Sequence, residues 1–315
     1  MSNNKKEAIQ RLIKSPNIEE IKVMFESFFE MLENLYPETF NPDQTAKDLQ
    51  KLMLIESYMK YLFEECSSES YFDALSTVGS KLFDFMIDFF EYNHLPQVVS
   101  KKEYENLKNK RLVEYSDDTI SIEEFSGEYY RGSQKLIYLA NTMCDYDYHH
   151  GIGVNSNGLY ASIKYGEAKG YSYQFNTSIE DEPVARFKLA TDKFANEIDI
   201  FHLAVQIFSN RTPISLPNKE KEIKAVVLNQ FFNSLPEEDQ INFKNLFEKD
   251  FSLLAIYLGY DCISNNLGKI VCILNREKIV FEEQEFYRIC NQTKVYKNGL
   301  VDYEQKEKTD FRWEK

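Results

Sequence analysis

The chain is poor in proline and glycine, with 8 and 11 in 315 residues. That scarcity excludes collagen-like repeats and linker-rich architectures. Its five cysteines, Cys66, Cys144, Cys262, Cys272 and Cys290, are odd in number, far apart, and form no CxxC pair. The spacing argues against a zinc ribbon and a disulfide framework and fits a reducing compartment. Only four histidines are present. His149 and His150 are adjacent and diverge in most conformations, while His94 and His202 stand alone, so no metal centre is expected. No window approaches 18 uncharged apolar residues, so no membrane span is expected either. Lys5 and Lys6 lead into a charged amphipathic stretch rather than a signal-peptide apolar run, which points to the cytoplasm. Phosphate loop, dinucleotide fingerprint, nucleophile elbow and HExxH helix are all missing.

What is present is acid and aromatic. Lys+Arg total 37 against 51 Asp+Glu, a formal charge of −14. Condensed phosphate charge repels such a chain, so general polyanion binding is disfavoured, although a local basic groove stays open. Hydrophobic residues at 43% argue against global disorder, and 15% aromatics supply large packing side chains. A chain of this length buries a sizeable core without staples.

The first hundred residues predict helices. Ile9, Leu12 and Ile13 sit at helical spacing, and Asn17 is placed to cap a helix after Pro16. Ile21, Phe25, Phe28, Phe29, Leu32 and Leu35 recur every three or four residues until Pro37. A third helix is expected around Leu49–Leu62 and a fourth over Phe72–Tyr92. The heavy phenylalanine usage reads first as core packing. After Pro96 the character changes. Short β-like runs are predicted at Glu128–Tyr130, Gly158–Ser162, Val184–Leu189, Asp261–Ser264, Lys269–Leu274, Lys278–Phe281 and Phe286–Cys290. Helical stretches between them are predicted at Gln134–Met143, Tyr165–Tyr173, Phe194–Phe208 and Pro236–Leu258. Without strict βαβ alternation this is an α+β pattern. The boundary falls near 100–118, giving a helical domain over 1–110 and a mixed β-core domain over 111–315. The tail from Tyr303 to Lys315 reads as a charged, solvated end.

Three strings carry candidate chemistry. In Tyr130-Arg131-Gly132-Ser133, an arginine ends an aromatic strand. It is either a surface arginine or an anion clamp, with glycine admitting a ligand to the backbone and serine donating a hydroxyl. In Gly158-Leu159-Tyr160-Ala161-Ser162, followed by Ala168 and Tyr171, two tyrosines are placed either to sandwich a flat ring or to line a core rim. Late in the chain come Asp261, Arg276, Glu283 and Glu285. Read as strand residues, Glu283 and Glu285 share a face. They are either an acid pair able to stabilise a cationic sugar or an acidic turn.

In this order the strings resemble the ADP-ribosyltransferase superfamily. Its pattern is an aromatic-Arg/His-Gly on the first core strand, Gly-x-Tyr/Phe-x-Ser/Thr followed by Ala-x-x-Tyr, and an acid on a later strand. Here these match Tyr130-Arg131-Gly132, Gly158-x-Tyr160-x-Ser162 with Ala168 and Tyr171, and Glu283-x-Glu285. The Leu258-Gly259-Tyr260-Asp261 segment and Leu274-Asn275-Arg276 are similar to phage-associated and effector-type members. Tyr160 matches the histidine class while Arg131 stands where that class carries histidine, so features of two classes mix. The resemblance covers about 125–295.

The resemblance implies an ADP-ribosyltransferase-like β-core domain that uses NAD as a substrate without a metal. Glu285 would hydrogen-bond the ribose and stabilise its developing charge, with Asp261 as the alternative acid. Arg131 would clamp the pyrophosphate or support the ribose. Tyr160 or Tyr171 would stack on nicotinamide, Ser162 would orient the acid, and Glu283 would position the acceptor. Tyr130, Gly132, Ser133 and Gly158 would complete the NAD site. The implied product is a mono-ADP-ribosylated macromolecule, with protein favoured over nucleic acid on charge. Alternatives are a catalytically silent binding module and an NAD glycohydrolase. The helical half would select a target, or dock a neutralising or chaperone partner. A toxin or effector delivered to a host cytoplasm without a conventional signal peptide fits the same resemblance.

Overall fold

The computed structural model describes residues 18–92, 94–107, 127–144, 151–152, 157–170, 182–209, 214–265 and 269–290. Ile9, Leu12, Ile13, Asn17, most of the expected boundary region, His149, His150, Tyr171 and the tail from Tyr303 lie outside them. The fold is mixed α+β, with helices preceding a sheet core. In chain order, helices α1 (Ile18–Met24), α2 (Glu26–Leu35), α3 (Pro42–Glu65) and α4 (Tyr71–Phe89) lead to β1 (Gln97–Val99) and α5 (Lys101–Asn106). Then come β2 (Tyr129–Gly132), α6 (Leu136–Cys144), β3 (Gly151–Ile152), β4 (Asn157–Ser162), α7 (Tyr165–Gly170), β5 (Val184–Leu189) and β6 (Phe194–Asn196). Four helices follow, α8 (Glu197–Phe208), α9 (Lys219–Ser234), α10 (Glu237–Lys249) and α11 (Phe251–Leu258). The described chain closes with β7 (Cys262–Ser264), β8 (Ile270–Ile273), β9 (Ile279–Glu282) and α12 (Glu283–Cys290).

Two compact units divide the chain. One takes in Met1–Met86 and Asp199–Gly259, the other Ile87–Ile198 and Tyr260–Lys315. The expected division was a single cut near 100–118; the observed units are each discontinuous, because helices 199–259 cluster with the N-terminal helices.

In the helical unit, caps set the boundaries. Asn41 accepts from the Gln44 amide with Pro42 at the first helical position, and Asn218 accepts from the amides of Glu220 and Lys221. The expected helix over Pro236–Leu258 is two helices. Asp250 ends α10 and its side chain caps α11 through the Ser252 amide. Gly259, at φ 80°, then stops α11 in the left-handed conformation that favours glycine. Leu49, Leu52, Ile55, Met59 and Leu62 bury one stripe of α3. Phe243 stacks on Phe247 at 4.4 Å, and both rings meet Phe208 edge-on. Buried Glu222 accepts from Tyr36, Lys219 and the Leu216 amide at 2.9–3.2 Å. Burial and this neighbour push the Tyr36 phenol up to about 12.

In the sheet unit the strand order is β1-β9-β5-β2-β4-β8-β7-β6, with β3 on β4. β1–β9 and β6–β7 pair in parallel and the other pairs are antiparallel. Alternation sends Tyr129, Leu159, Phe187, Val271 and Phe281 to one face, where they pack with Leu139 and Met143 of α6 and Phe286 and Ile289 of α12. The opposite face carries Tyr130, Tyr160, Ser162, Arg186 and Lys188. Buried Lys188 donates to the carbonyls of Tyr104 and Leu107, satisfying the end of α5. Arg276 is fully buried and donates to the carbonyls of His94 and Thr142.

One expected strand is corrected. Phe286–Cys290 belongs to helix α12, because Phe286, Ile289 and Cys290 are all buried at helical spacing. Cys66, Cys262 and Cys272 are free, but Cys290 is disulfide-bonded, against the expectation from cysteine spacing. Among the described residues no helix is long and apolar enough to cross a membrane, and no His, Cys, Asp and Glu group could hold a metal ion.

Asp48 in α3 gives a stability test. It is buried, and desolvation raises its carboxyl above the usual value despite Lys224, Lys51 and a Gln44 hydrogen bond. A carboxyl raised on folding costs stability where it is ionised, and the cost fades as pH falls through its folded value. Asp48→Asn should therefore raise the melting temperature at pH 7, with the gain shrinking as pH drops towards about 4. Thermal melts of both proteins across that range check it.

Candidate functional site

The first two strings come together on adjacent strands. Tyr130 of β2 faces Ser162 of β4 on one side and Arg186 of β5 on the other. Glu285 of α12 reaches the edge of β5 at the end of this row, where its Oε1 accepts from the Arg186 backbone amide at 2.9 Å. Ser162, Tyr130 and Arg186 thus share one line across three strands, with the Glu285 carboxylate at its β5 end. Two strand spacings put Ser162 roughly 10 Å from Arg186.

Local reasons fix each residue. Ser162 donates to Glu167 at 2.6 Å and accepts from the Lys164 amide at 3.0 Å, a turn that leads β4 into α7. Tyr130 donates to Glu128 at 3.0 Å and meets Tyr165 edge-on at 5.7 Å. Tyr104 donates to the other Glu128 oxygen at 3.3 Å. Burial, then the Glu128 charge, pushes the Tyr104 phenol well up, so it stays a protonated donor. Gly132 has a packing cause, because a Cβ there would sit 1.7 Å from the Ala168 carbonyl oxygen. Gly158, at φ 152°, has both a backbone cause and a packing one, with Cys272 Sγ 2.3 Å from an added Cβ. The Ser133 amide donates to the Pro183 carbonyl at 2.9 Å.

Arg131 is half-buried and donates from Nη1 to the Tyr160 carbonyl at 2.6 Å. It alternates with Tyr130, so its side chain leaves β2 on the Tyr129 side of the sheet, away from the side of Tyr130, Tyr160 and Ser162. Glu283 and Glu285 do not share a face. Both stand in the first turn of α12, roughly 200° apart around the helix. Exposed Glu283 accepts from Tyr287, whereas Glu285 is bound by Arg288 through both oxygens at 2.8 Å. Asp261 is 3% exposed. It accepts from Thr191 and Asn275 side chains, and its carbonyl accepts from the Leu274 and Asn275 amides. It precedes β7, beyond β8 and towards the Leu159 end of β4, so it does not join the row. Tyr171 lies outside the described residues.

Sequence reasoning missed Glu128, Glu167, Arg186, Glu282 and Arg288 as members of this surface. Arg186 is half-exposed, with Glu128 at 3.9 Å and Glu282 at 4.0 Å. Among the described strands after β4, Glu282 is the only carboxylate on a strand. Arg288 stands three residues after Glu285, a helical signal hidden by reading that segment as a strand. Carboxylates Glu128, Glu282 and Glu285 outnumber Arg186 and Arg288, which suits a cationic sugar better than a pyrophosphate. No family model, no curated protein and no solved structure matches the chain.

Gly132→Ala should lower stability by about 1–3 kcal/mol, because the α7 backbone has to move. Gly166→Ala, where an added Cβ meets nothing within 4 Å, should hold stability or raise it by up to ~1 kcal/mol. Urea unfolding of the pair gives the two signs.

Proposed function

We propose that this chain is an NAD-dependent mono-ADP-ribosyltransferase that modifies a macromolecular acceptor, with Glu285 as its acid. The observation that carries the reading is the row from Ser162 through Tyr130 and Arg186 to Glu285, where the strings that resemble the superfamily meet. Cleaving the nicotinamide–ribose bond sends the electron pair to the ring nitrogen, neutralising the pyridinium, so the leaving group needs no general acid. Positive charge grows on the ribose, and a fixed carboxylate lowers that barrier. A carboxylate offers about four acceptor sites. Three bonds occupy Glu285, two from Arg288 and one from Arg186, leaving one for a ribose hydroxyl. The half-buried rings of Tyr130 and Tyr160 offer flat surfaces on the same side of the sheet as Arg186. Arg131 supports β4 through the Tyr160 carbonyl. The net charge of −14 favours a protein acceptor over nucleic acid.

A second reading rests on the same contacts. If Arg288 and Arg186 hold Glu285 only for the fold, the domain is a silent member that binds a partner. NAD and a cell lysate, followed with an ADP-ribose probe, separate the two. Labelled macromolecule supports transfer, free ADP-ribose without label supports glycohydrolysis, and neither supports the silent module. Glu285→Gln should fold and lose about 10²–10³ in transfer rate. Asp261→Asn should chiefly lower the melting temperature, since the buried Asp261 carboxylate accepts from the Thr191 and Asn275 side chains. Full transfer by Glu285→Gln would move the acid elsewhere.

A further inference from the structure

Where β9 ends, the edge of β5 has no neighbouring strand among the described residues. The β5–β9 ladder pairs Lys188 with Val280 and Leu189 with Ile279. The Arg186 amide and the Val184 and Glu182 carbonyls lie beyond it. The Glu285 carboxylate takes the amide at 2.9 Å, and Arg288 takes the two carbonyls, Nη2 to Val184 at 2.5 Å and Nη1 to Glu182 at 2.8 Å. Arg288 also grips Glu285, Nε to Oε2 and Nη2 to Oε1, both at 2.8 Å. The guanidinium is a rigid planar fork, so a side chain bolted to the Val184 carbonyl of β5 and the Glu182 carbonyl just before it fixes the plane of the carboxylate it binds.

We infer that Arg288 is the positioning residue of the site: it fixes the Glu285 carboxylate, and with it the one acceptor position left over, at the Arg186 end of the row. This rests on the transferase reading above. Both side chains are largely buried, 18% and 11% exposed, so water competes weakly for the fork. Lysine at 288 has one nitrogen on a flexible stem and cannot hold the carboxylate in two places while also reaching both carbonyls.

The test uses the full chain, NAD, and the variants Arg288→Gln and Arg288→Lys. Arg288→Gln should lower kcat by about 10–100-fold with KM for NAD within about twofold, because alignment rather than ground-state binding is lost. Arg288→Lys should fall between it and the parent. Hydrogen exchange at the Arg186 amide should speed up at least about tenfold in Arg288→Gln, since that amide donates to the released carboxylate. The inference is overturned if Arg288→Gln keeps its kcat. It is equally overturned if kcat falls while the Arg186 amide stays protected, or if kcat, KM and melting temperature deteriorate together in both variants. A parent chain that consumes no NAD overturns the transferase reading itself and this inference with it, which separates that failure from the others.

Discussion

The structure turns on how β5 completes its hydrogen bonds after β9 runs out. A strand edge with unmet amides and carbonyls inside a packed unit is costly. The chain meets the demand by turning β9 directly into a helix at Glu283 and sending an i,i+3 pair back to the edge. That turn explains several features together. It places Phe286 and Ile289 against the Phe187–Phe281 core, it keeps Arg186 in register with Tyr130, and it brings an acidic group next to a tyrosine-bearing row. A strand in place of α12 could satisfy the edge as well, but it would not present a carboxylate there.

The same economy governs the other side of the sheet unit. Lys188 and Arg276, both buried, donate to backbone carbonyls. Each carbonyl belongs to a helix end or an irregular segment that lacks a ladder partner. Buried cations used in this way satisfy the orphan acceptors that helices leave at their C-termini. They hold α5, the segment at His94 and the end of α6 to the sheet, so the surface around Tyr104 and Tyr130 is rigidly backed.

Much of this was legible in the residues. The short β-like runs at Val184–Leu189 and Gly158–Ser162 became β5 and β4 almost residue for residue, because five of the six residues in each strand are buried and Gly158 marks a backbone position closed to other side chains. The amphipathic helices up to Phe89 were legible for the same reason. The failures share a cause, which is that short apolar segments carry no decisive period. Phe286-Tyr287-Arg288-Ile289-Cys290 is β-rich in composition, and only its docking on α6 and β9 makes it a helix. The break at Asp250 hid inside a long apolar run because an aspartate in mid-helix and an aspartate at a cap look alike until its side chain meets the Ser252 amide. The discontinuous units were not legible, since nothing local tells helices 199–259 which partners they cluster with. Around Tyr130, Ser162 and Glu285, the neighbours Arg186 and Arg288 were not legible, because register and helix phase, rather than residue type, bring them there.

Strand phase also decides which arginine shares a face with Tyr130 and Ser162. Arg131 ends the string that drew attention first, yet it follows Tyr130 on the strand and therefore leaves the sheet on the opposite side. Its Nη1 is committed to the Tyr160 carbonyl, a bond that braces β4 against β2 beside the point where Gly132 lets α7 close in. Arg186 occupies the face that Arg131 does not. It stands directly across from Tyr130, half-exposed, with Glu128 and Glu282 near enough to orient it and too far at 3.9–4.0 Å to hold it tightly. A guanidinium in loose ion pairs at a surface loses little by exchanging one carboxylate for a substrate oxygen. The two arginines thus differ in setting: Arg131 braces β4 against β2, and Arg186 stands half-exposed in loose ion pairs on the Tyr130 face.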